Sequence, residues 1–367
     1  DSIFYKSSTP HGMIAIDGHD CVFLSMIMAS DTTDQPLYIG QSRKGQSQQN
    51  LLCNKFVNAS EDENGVLQGM TFSDEESYNF AFDTVDAIAR REPEKLAMVH
   101  VANDMTERRF TFKDLKDASS QSANYFKSLG IKRGDRVMLV LKRHYQFWFA
   151  ILGLHKLGAI AIPATNQLME HDFVYRFQAA DVSAVVCTAD GNTAEQIELA
   201  EKSAGMDLTK VLVVGSRVGW HNYNEEYKLF SRRYERTEDA PCGSDPMLML
   251  FTSGTTGYPK MATHSYKYAL GHYVTAKYWH LCERDGLHFT ISETGWGKAL
   301  WGKLYGQWLC EGAVFTYDFD RFDAEKILPM FAKYNITTFC APPTMYRMLI
   351  KQDLSKYDLS SIHHATT

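Results

Sequence analysis

The residues best suited to chemistry lie in one short segment that follows a buried strand. Its nine positions are Thr252, Ser253, Gly254, Thr255, Thr256, Gly257, Tyr258, Pro259 and Lys260. Glycines let the backbone adopt positive φ and approach a ligand closely. Successive N–H groups in such a turn form a concave nest for anions, and the lysine adds a mobile positive charge. The segment, called here the phosphate loop (residues 252–260), is predicted to bind a polyphosphate.

The spacing of the loop excludes two commoner nucleotide motifs. A Walker A loop requires the pattern G-x-x-x-x-G-K-[ST], whereas Gly254 and Gly257 are three apart and neither precedes a lysine. The loop also lacks the G-x-G-x-x-G pattern, so a dinucleotide site is not implied. The alternative interpretation of the segment is an ordinary surface turn, rich in glycine and threonine, that binds no ligand.

The elements that must position this loop begin at about residue 76, where apolar strands start to alternate with amphipathic helices. The predicted strands are 96–101, 135–141, 159–162, 182–187, 211–214, 247–251, 287–291, 313–316 and 336–340. The predicted helices are 80–91, 112–129, 147–157, 193–204, 267–279, 298–309 and 323–334. This alternation predicts an α/β fold with largely parallel sheets and helices on both faces.

The loop resembles the phosphate loop of the adenylate-forming (AMP-binding) superfamily. Residues 294–296, 302–308 and 339–346 resemble the acetyl- and medium-chain acyl-CoA synthetase branch of that superfamily. Further stretches that resemble it are 110–115, 134–138 and 157–163. The resemblance spans about residues 76–367 and implies an incomplete form of that fold's large N-terminal domain.

The resemblance implies a two-step ligase that uses ATP, Mg²⁺ and coenzyme A. A carboxylate attacks the α-phosphorus of ATP, giving acyl-adenylate and pyrophosphate, and the coenzyme A thiol then displaces AMP. The phosphate-binding role passes by resemblance to Thr252, Ser253, Gly254, Thr255, Thr256, Gly257 and Lys260. Two alternatives remain open: an adenylating ligase with a carrier-protein acceptor, and a noncatalytic nucleotide-binding or interaction module.

By the same resemblance, Trp296, Trp301 and Thr344 are expected near the acyl pocket. Leu304 and Trp308 share the predicted helix 298–309, and their helical spacing favours core packing. Two lysines on that helix, Lys298 and Lys303, have a simpler interpretation as side chains on a solvated face. The bulky aromatics of residues 294–308 favour a short, medium-chain or aryl acid over a long fatty acid.

The composition limits the class of partner. The 367 residues are 44% hydrophobic and 22% charged, with a formal net charge of −6. Without a long basic run, neither nucleic acid nor an anionic membrane is indicated as the main partner. Seven scattered cysteines without C-x-x-C spacing suggest no disulfide framework and no zinc site, and favour a cytoplasmic location. No histidine is assigned as a catalytic base or metal ligand, no metal site is predicted, and the oligomeric state is left open.

The domain organisation follows from these assignments. Residues 1–50 are unassigned, residues 51–75 are a linker or lead-in, and residues 76–367 are a partial AMP-binding domain. Residues 37–42 weakly resemble half of a GIY-YIG nuclease motif. A clear GIY strand and the downstream acidic ligand are missing, so no nuclease function is assigned. In the resembled family the magnesium ligand, the ribose ligand and the lid domain follow the position of Thr367. Residues 1–367 alone are therefore expected to be incomplete for catalysis.

Overall fold

The computed structural model describes residues 50–253 and 257–367. The segment 37–42 and three members of the phosphate loop, Gly254, Thr255 and Thr256, lie outside the described residues.

Within the described ranges the strands form three sheets. They are β1 (Val57–Glu61), β2 (Leu67–Phe72), β3 (Leu96–Ala102), β4 (Glu107–Thr111), β5 (Arg136–Val140), β6 (Ile160–Pro163), β7 (Val182–Cys187), β8 (Thr209–Leu212), β9 (His221–Asn222), β10 (Pro246–Thr252), β11 (Lys260–Ser265), β12 (Leu287–Thr290), β13 (Ala313–Asp318), β14 (Thr338–Cys340) and β15 (His364–Thr366). The first large sheet has the order β11-β10-β6-β5-β7-β8-β9, and the second has β15-β14-β12-β13-β3-β4. Both are parallel except at one edge pair, β10–β11 in the first and β3–β4 in the second. The small third sheet is the antiparallel hairpin β1–β2.

Helices cover these sheets. They are α1 (Asp86–Arg91), α2 (Phe112–Ser128), α3 (Gln146–Leu157), α4 (Glu170–Ala180), α5 (Thr193–Ala204), α6 (Tyr223–Glu226), α7 (Tyr268–Val274), α8 (Gly297–Gly302), α9 (Tyr305–Leu309), α10 (Ala324–Tyr334) and α11 (Pro343–Leu349). The predicted α/β fold with largely parallel sheets is confirmed. Among the described helices, none is both long and apolar enough to cross a bilayer.

The strand order places a ligand crevice in each large sheet. In the first, α3 connects β5 to β6 on one side, and the chain then returns to place β7 on the other side of β5. In the second, β12 leads to β13 on one side, whereas β14 lies on the other side. In open α/β sheets the crevice at the carboxyl ends of such strands is where ligands bind. These crevices lie at β5/β7 and at β12/β14.

The start of segment 51–75 packs on the main core, whereas none of residues 58–75 is buried, and its assignment as a linker or lead-in stays a prediction. Leu51, Cys53, Phe56 and Val57 are buried in the same core cluster as the helices of the first sheet. The polar residues 59–65 include the end of β1 and a turn.

Candidate nucleotide and acyl site

The phosphate loop is anchored by an antiparallel hairpin. Thr252, the last residue of β10, pairs with Lys260, the first residue of β11, and the Thr252 hydroxyl donates to the Lys260 carbonyl at 3.4 Å. Gly257 has a φ of 101°, which favours glycine. The side chains of Thr252, Ser253 and Lys260 are exposed, and no described carboxylate forms an ion pair with Lys260. The loop thus offers hydroxyls and a free ammonium to solvent.

Helix α4 braces the loop from one side. The Tyr175 hydroxyl donates to the Pro259 carbonyl at 2.8 Å, and its ring stacks on Tyr258 at 4.9 Å between centroids. The Arg176 guanidinium lies 5.2 Å from the Phe251 ring centroid, just before the loop. These contacts were not expected from the sequence, because α4 is not among the predicted helices. A tyrosine within the loop was the available signal that an aromatic partner was needed.

The turn after β12 joins the two crevices. Thr294 donates from its backbone N–H and its hydroxyl to the Lys142 carbonyl, just past β5, at 2.8 and 2.5 Å. Next to it, a Cβ on Gly295 would lie 2.4 Å from the backbone of Ala164 and Thr165, which follow β6. Only glycine permits this approach of the two backbones. The carboxyl ends of both sheets are therefore held against each other here.

The three predicted acyl-pocket residues differ in position. Trp296 precedes α8 and is 57% exposed. Trp301, on α8, is half-buried against Trp279 and His280, at 5.5 and 5.7 Å between ring centroids. Thr344 is exposed at the start of α11, after β14. The described hydrogen bonds and ring contacts do not join Thr344 to either tryptophan, so its role in the pocket stays a prediction.

The predicted continuous helix 298–309 is wrong. The structure has α8 and α9, separated at Lys303 and Leu304, where φ is −152° and −147°. Tertiary hydrogen bonds replace the helical ones: the Lys303 ammonium donates to the Ser292 carbonyl at 2.8 Å, and the Lys303 carbonyl accepts from the Trp148 indole at 2.8 Å.

The structure shows whether three side chains at this break are exposed or buried. Lys303 is buried, so its interpretation as a solvated residue is wrong, and burial lowers the pKa of its ammonium well below the usual value. The interpretation of Leu304 and Trp308 as core is confirmed, since both are fully buried.

Behind Trp301 lies a buried group of three potential metal ligands, His280, Cys282 and His288, whose ligand atoms lie within 4.8 Å of one another. The two rings of His288 and His280 stack at 4.5 Å, and both nitrogens of His288 are hydrogen-bonded to threonine hydroxyls, of Thr338 and Thr290, at 2.7 Å. Burial lowers the pKa of His288 to about 3 and that of His280 well below its usual value. It also raises the pKa of the Cys282 thiol well above its usual value. The group is thus an uncharged layer beneath the crevice, in which His288 is hydrogen-bonded at both ring nitrogens.

Comparison with known proteins identifies this arrangement. Residues 85–367 match the family model described as AMP-binding enzyme. The chain belongs to the AMP-binding enzyme family. Human acyl-coenzyme A synthetase ACSM4, mitochondrial, is 33% identical over 303 residues, covering 79% of this chain and 51% of the relative. Human ACSM3, mitochondrial, is 31% identical over 299 residues, covering 80% of this chain and 50% of the relative. The resemblance to the acyl-CoA synthetase branch is therefore confirmed.

Solved structures agree on the fold of this AMP-binding chain. The crystal structure of Brucella canis acyl-CoA synthetase aligns with a TM-score of 0.66 and 22% identity, covering 76% of this chain and 49% of that one. The anthranilate CoA ligase AuaEII, in complex with anthranoyl-AMP, aligns with a TM-score of 0.67 and 23% identity, covering 78% of this chain and 54% of that one. The chain thus spans about half the length of the relatives it matches.

One expectation is corrected by these relatives. The scattered cysteines favoured a cytoplasmic location, but the human relatives ACSM3, ACSM4 and ACSM5 are all named as mitochondrial enzymes. Cysteine usage indicates a reducing environment only, and it does not distinguish one reducing compartment from another. The cytoplasmic prediction is therefore wrong.

Proposed function

We propose that the protein is an AMP-forming acid–thiol ligase that makes acyl-CoA. A carboxylate oxygen of the acid attacks the α-phosphorus of ATP, and pyrophosphate leaves. The coenzyme A thiol then attacks the acyl carbon, a C–S bond replaces the C–O bond to phosphate, and AMP leaves. The observation that carries this proposal is the exposed phosphate loop, held between β10 and β11, in a chain of the AMP-binding family.

The chemistry of the loop suits the first step. Negative charge grows on the departing pyrophosphate, and donors already in place lower the barrier because they need no reorganisation. The hydroxyl of Ser253 and the ammonium of Lys260 are such donors, and their side chains are exposed. The exposed Thr252 hydroxyl joins them once it turns away from the Lys260 carbonyl. By resemblance, Gly254, Thr255, Thr256 and Gly257 contribute to the same site.

The loop does not fit a magnesium ion as a resident ligand. Mg²⁺ in proteins is usually held by carboxylates together with substrate phosphates, whereas the loop provides hydroxyls, backbone N–H groups and one ammonium. We therefore assign no magnesium ligand within the loop and regard the ion as entering with ATP.

The domain assignment extends this proposal. Residues 76–367 form the AMP-binding part, and residues 51–75 are its lead-in, supported by the burial of Phe56 and Val57 against the first sheet. Residues 1–50 remain unassigned. The family also supports a role in fatty acid metabolism, since the relatives are acyl-coenzyme A synthetases.

Replacing Lys260 by alanine tests the function directly. One charge-assisted contact of this kind contributes about 1.5–3 kcal/mol, so the rate of ATP–pyrophosphate exchange should fall by roughly ten- to hundredfold. The assay uses the full-length gene product at saturating acid. Lys260→Arg should retain more of the rate, and Lys326→Ala, an exposed lysine on α10, is the matched control. An unchanged rate for Lys260→Ala would remove this lysine from the site.

The size of the acid is a second expectation. Trp296 precedes α8 and Trp301 lies on it. We expect both rings to fill part of the acyl pocket, so a short, medium-chain or aryl acid should be the best substrate. A panel from acetate to palmitate, with benzoate, measures this preference by ATP–pyrophosphate exchange with the full-length gene product. Highest kcat/KM on palmitate would contradict it.

A further inference from the structure

The second large sheet has two chemically different faces at its β12/β14 crevice. Side chains alternate along a strand, and one face presents Phe289, Phe339 and Ala365 to an apolar core. The other face carries two rows of in-register polar residues. The rows are His288, Thr338 and His364, and Thr290, Cys340 and Thr366. A buried polar face of a sheet is unusual, because polar groups are costly to bury without partners.

Lys298 lies over the outer row of this face. Its ammonium is within reach of the buried Cys340 thiol and acts on it electrostatically, and it lies 5.7 Å from the centroid of the Trp301 ring. The residue is half-buried. Among the described residues no carboxylate forms an ion pair with Lys298, whereas Lys142 is paired with both Asp190 and Asp320 at 2.7 and 2.8 Å.

The neighbours of Lys298 leave this charge uncompensated. Burial lowers the pKa of His280 and of His288, so both rings are neutral at neutral pH. The His280 Nε2 is buried and has no hydrogen-bond partner, and the buried Thr366 hydroxyl lies beside the Cys340 thiol. The wall formed by Lys298, Trp301 and the outer polar row thus combines one cation with buried polar atoms, at the carboxyl ends of β12 and β14.

We propose, resting on the acyl-CoA synthetase function above, that this wall receives the far end of the acid substrate and that Lys298 pairs with a second carboxylate there. The substrate class is then a short dicarboxylic acid. One carboxylate attacks ATP, and the other replaces the missing counter-ion of Lys298. A charged lysine in a partly enclosed site is stabilised by such a partner, and the rings of Trp301 and Trp279 limit the chain length.

The test compares acids of equal chain length on the full-length gene product. ATP–pyrophosphate exchange is measured with succinate against butyrate, and with glutarate against valerate. The diacid should be preferred at least about tenfold in kcat/KM, the effect expected of one charge-assisted contact. Lys298→Met should bring this ratio near one, Lys298→Arg should keep a preference for the diacid, and Lys326→Met, on the exposed face of α10, should leave the ratio as it is.

A charge reversal completes the test. Lys298→Glu should reverse the preference, so that 4-aminobutyrate replaces succinate as the better four-carbon acid. Two results would overturn the proposal: a wild-type preference for the monoacids, or an equal loss on mono- and diacids in Lys298→Met. The second would place Lys298 at the reacting carboxylate or the nucleotide instead. If neither the monoacids nor the diacids support any ATP–pyrophosphate exchange, the ligase function itself is contradicted. That outcome distinguishes a failure of the proposed function from a failure of the diacid proposal.

Discussion

Asp86→Ala should lower the free energy of unfolding by about 3–5 kcal/mol, because it leaves a buried ammonium without its counter-ion. Asp86 on α1 and Lys156 on α3 form an ion pair at 2.9 Å, and both side chains are at most 5% exposed. The ammonium also donates to the Ser120 hydroxyl at 3.0 Å and to the Lys116 carbonyl at 3.3 Å, both on α2. The pair therefore ties three helices together.

The size of this effect follows from burial rather than from charge attraction alone. Burial raises the pKa of Asp86 and lowers that of Lys156, so burial favours the neutral form of each group, and the partner's charge is the main influence that opposes it. Without Asp86, the lysine must either stay charged in an apolar core or lose its proton. Urea unfolding of the full-length gene product, followed by tryptophan fluorescence, measures the loss.

A matched pair on the surface provides the control for Asp86. Asp353→Ala removes the partner of Lys356, a pair joined at 3.4 Å in which the two side chains are 55% and 72% exposed. An exposed pair of this kind contributes at most about 1 kcal/mol. The double variant Asp86→Leu with Lys156→Met should recover much of the lost stability, since buried pairs are often replaceable by apolar groups. A loss below about 1 kcal/mol for Asp86→Ala would contradict the expectation.

Trp308→Ala should be comparably damaging, with a loss of about 3–5 kcal/mol. The Trp308 ring is fully buried, it stacks on Phe80 at 6.2 Å between centroids, and it contacts the Phe112 ring at 5.9 Å. Its indole N–H donates to the Ala97 carbonyl at 2.9 Å. The truncation therefore opens a cavity and also removes the indole donor to that carbonyl. The melting temperature and the urea midpoint should both fall.

Two further tryptophan variants separate packing from hydrogen bonding. Trp308→Phe keeps a ring but loses the donor, so a smaller loss of about 1–3 kcal/mol is expected. Trp296→Ala removes a ring that is 57% exposed, and a substitution at such a site should change stability by about 0.5 kcal/mol or less. If Trp308→Ala unfolded at the wild-type urea concentration, Trp308 would not be a core residue.

The sequence predicts best where local pattern and tertiary structure agree. The bounds of β7, Val182–Cys187, and of α5, Thr193–Ala204, match the predicted ranges, because an apolar run and an amphipathic run each carry their own signal. The strand before the loop was likewise readable, since predicted 247–251 lies within β10, whereas the phosphate-binding role of the loop stays a prediction. By contrast, β11 is largely polar, and only its pairing with β10 makes it a strand.

The rest depends on contacts between residues distant in sequence. At the break between α8 and α9, the Lys303 carbonyl is hydrogen-bonded to Trp148, which is distant in sequence. A contact of this kind leaves no signal in the local hydrophobic pattern. The polar face at β12 left a weaker trace: Leu287, Phe289 and Ile291 alternate with His288 and Thr290. That pattern indicates a strand with two different faces, but it does not say what the polar face meets.

The packing of residues 51–57 shows that the family boundary and the physical boundary of the domain differ. The family match begins at residue 85, yet Cys53 and Phe56 are buried in the main core, and the Leu52 N–H donates to the buried Glu311 carboxylate at 2.8 Å. Any exchange of this domain between proteins, whether by gene recombination or by engineering, would cut through its core if the join were placed at the start of the recognisable homology. A transferred domain would therefore need to include residues 51–57.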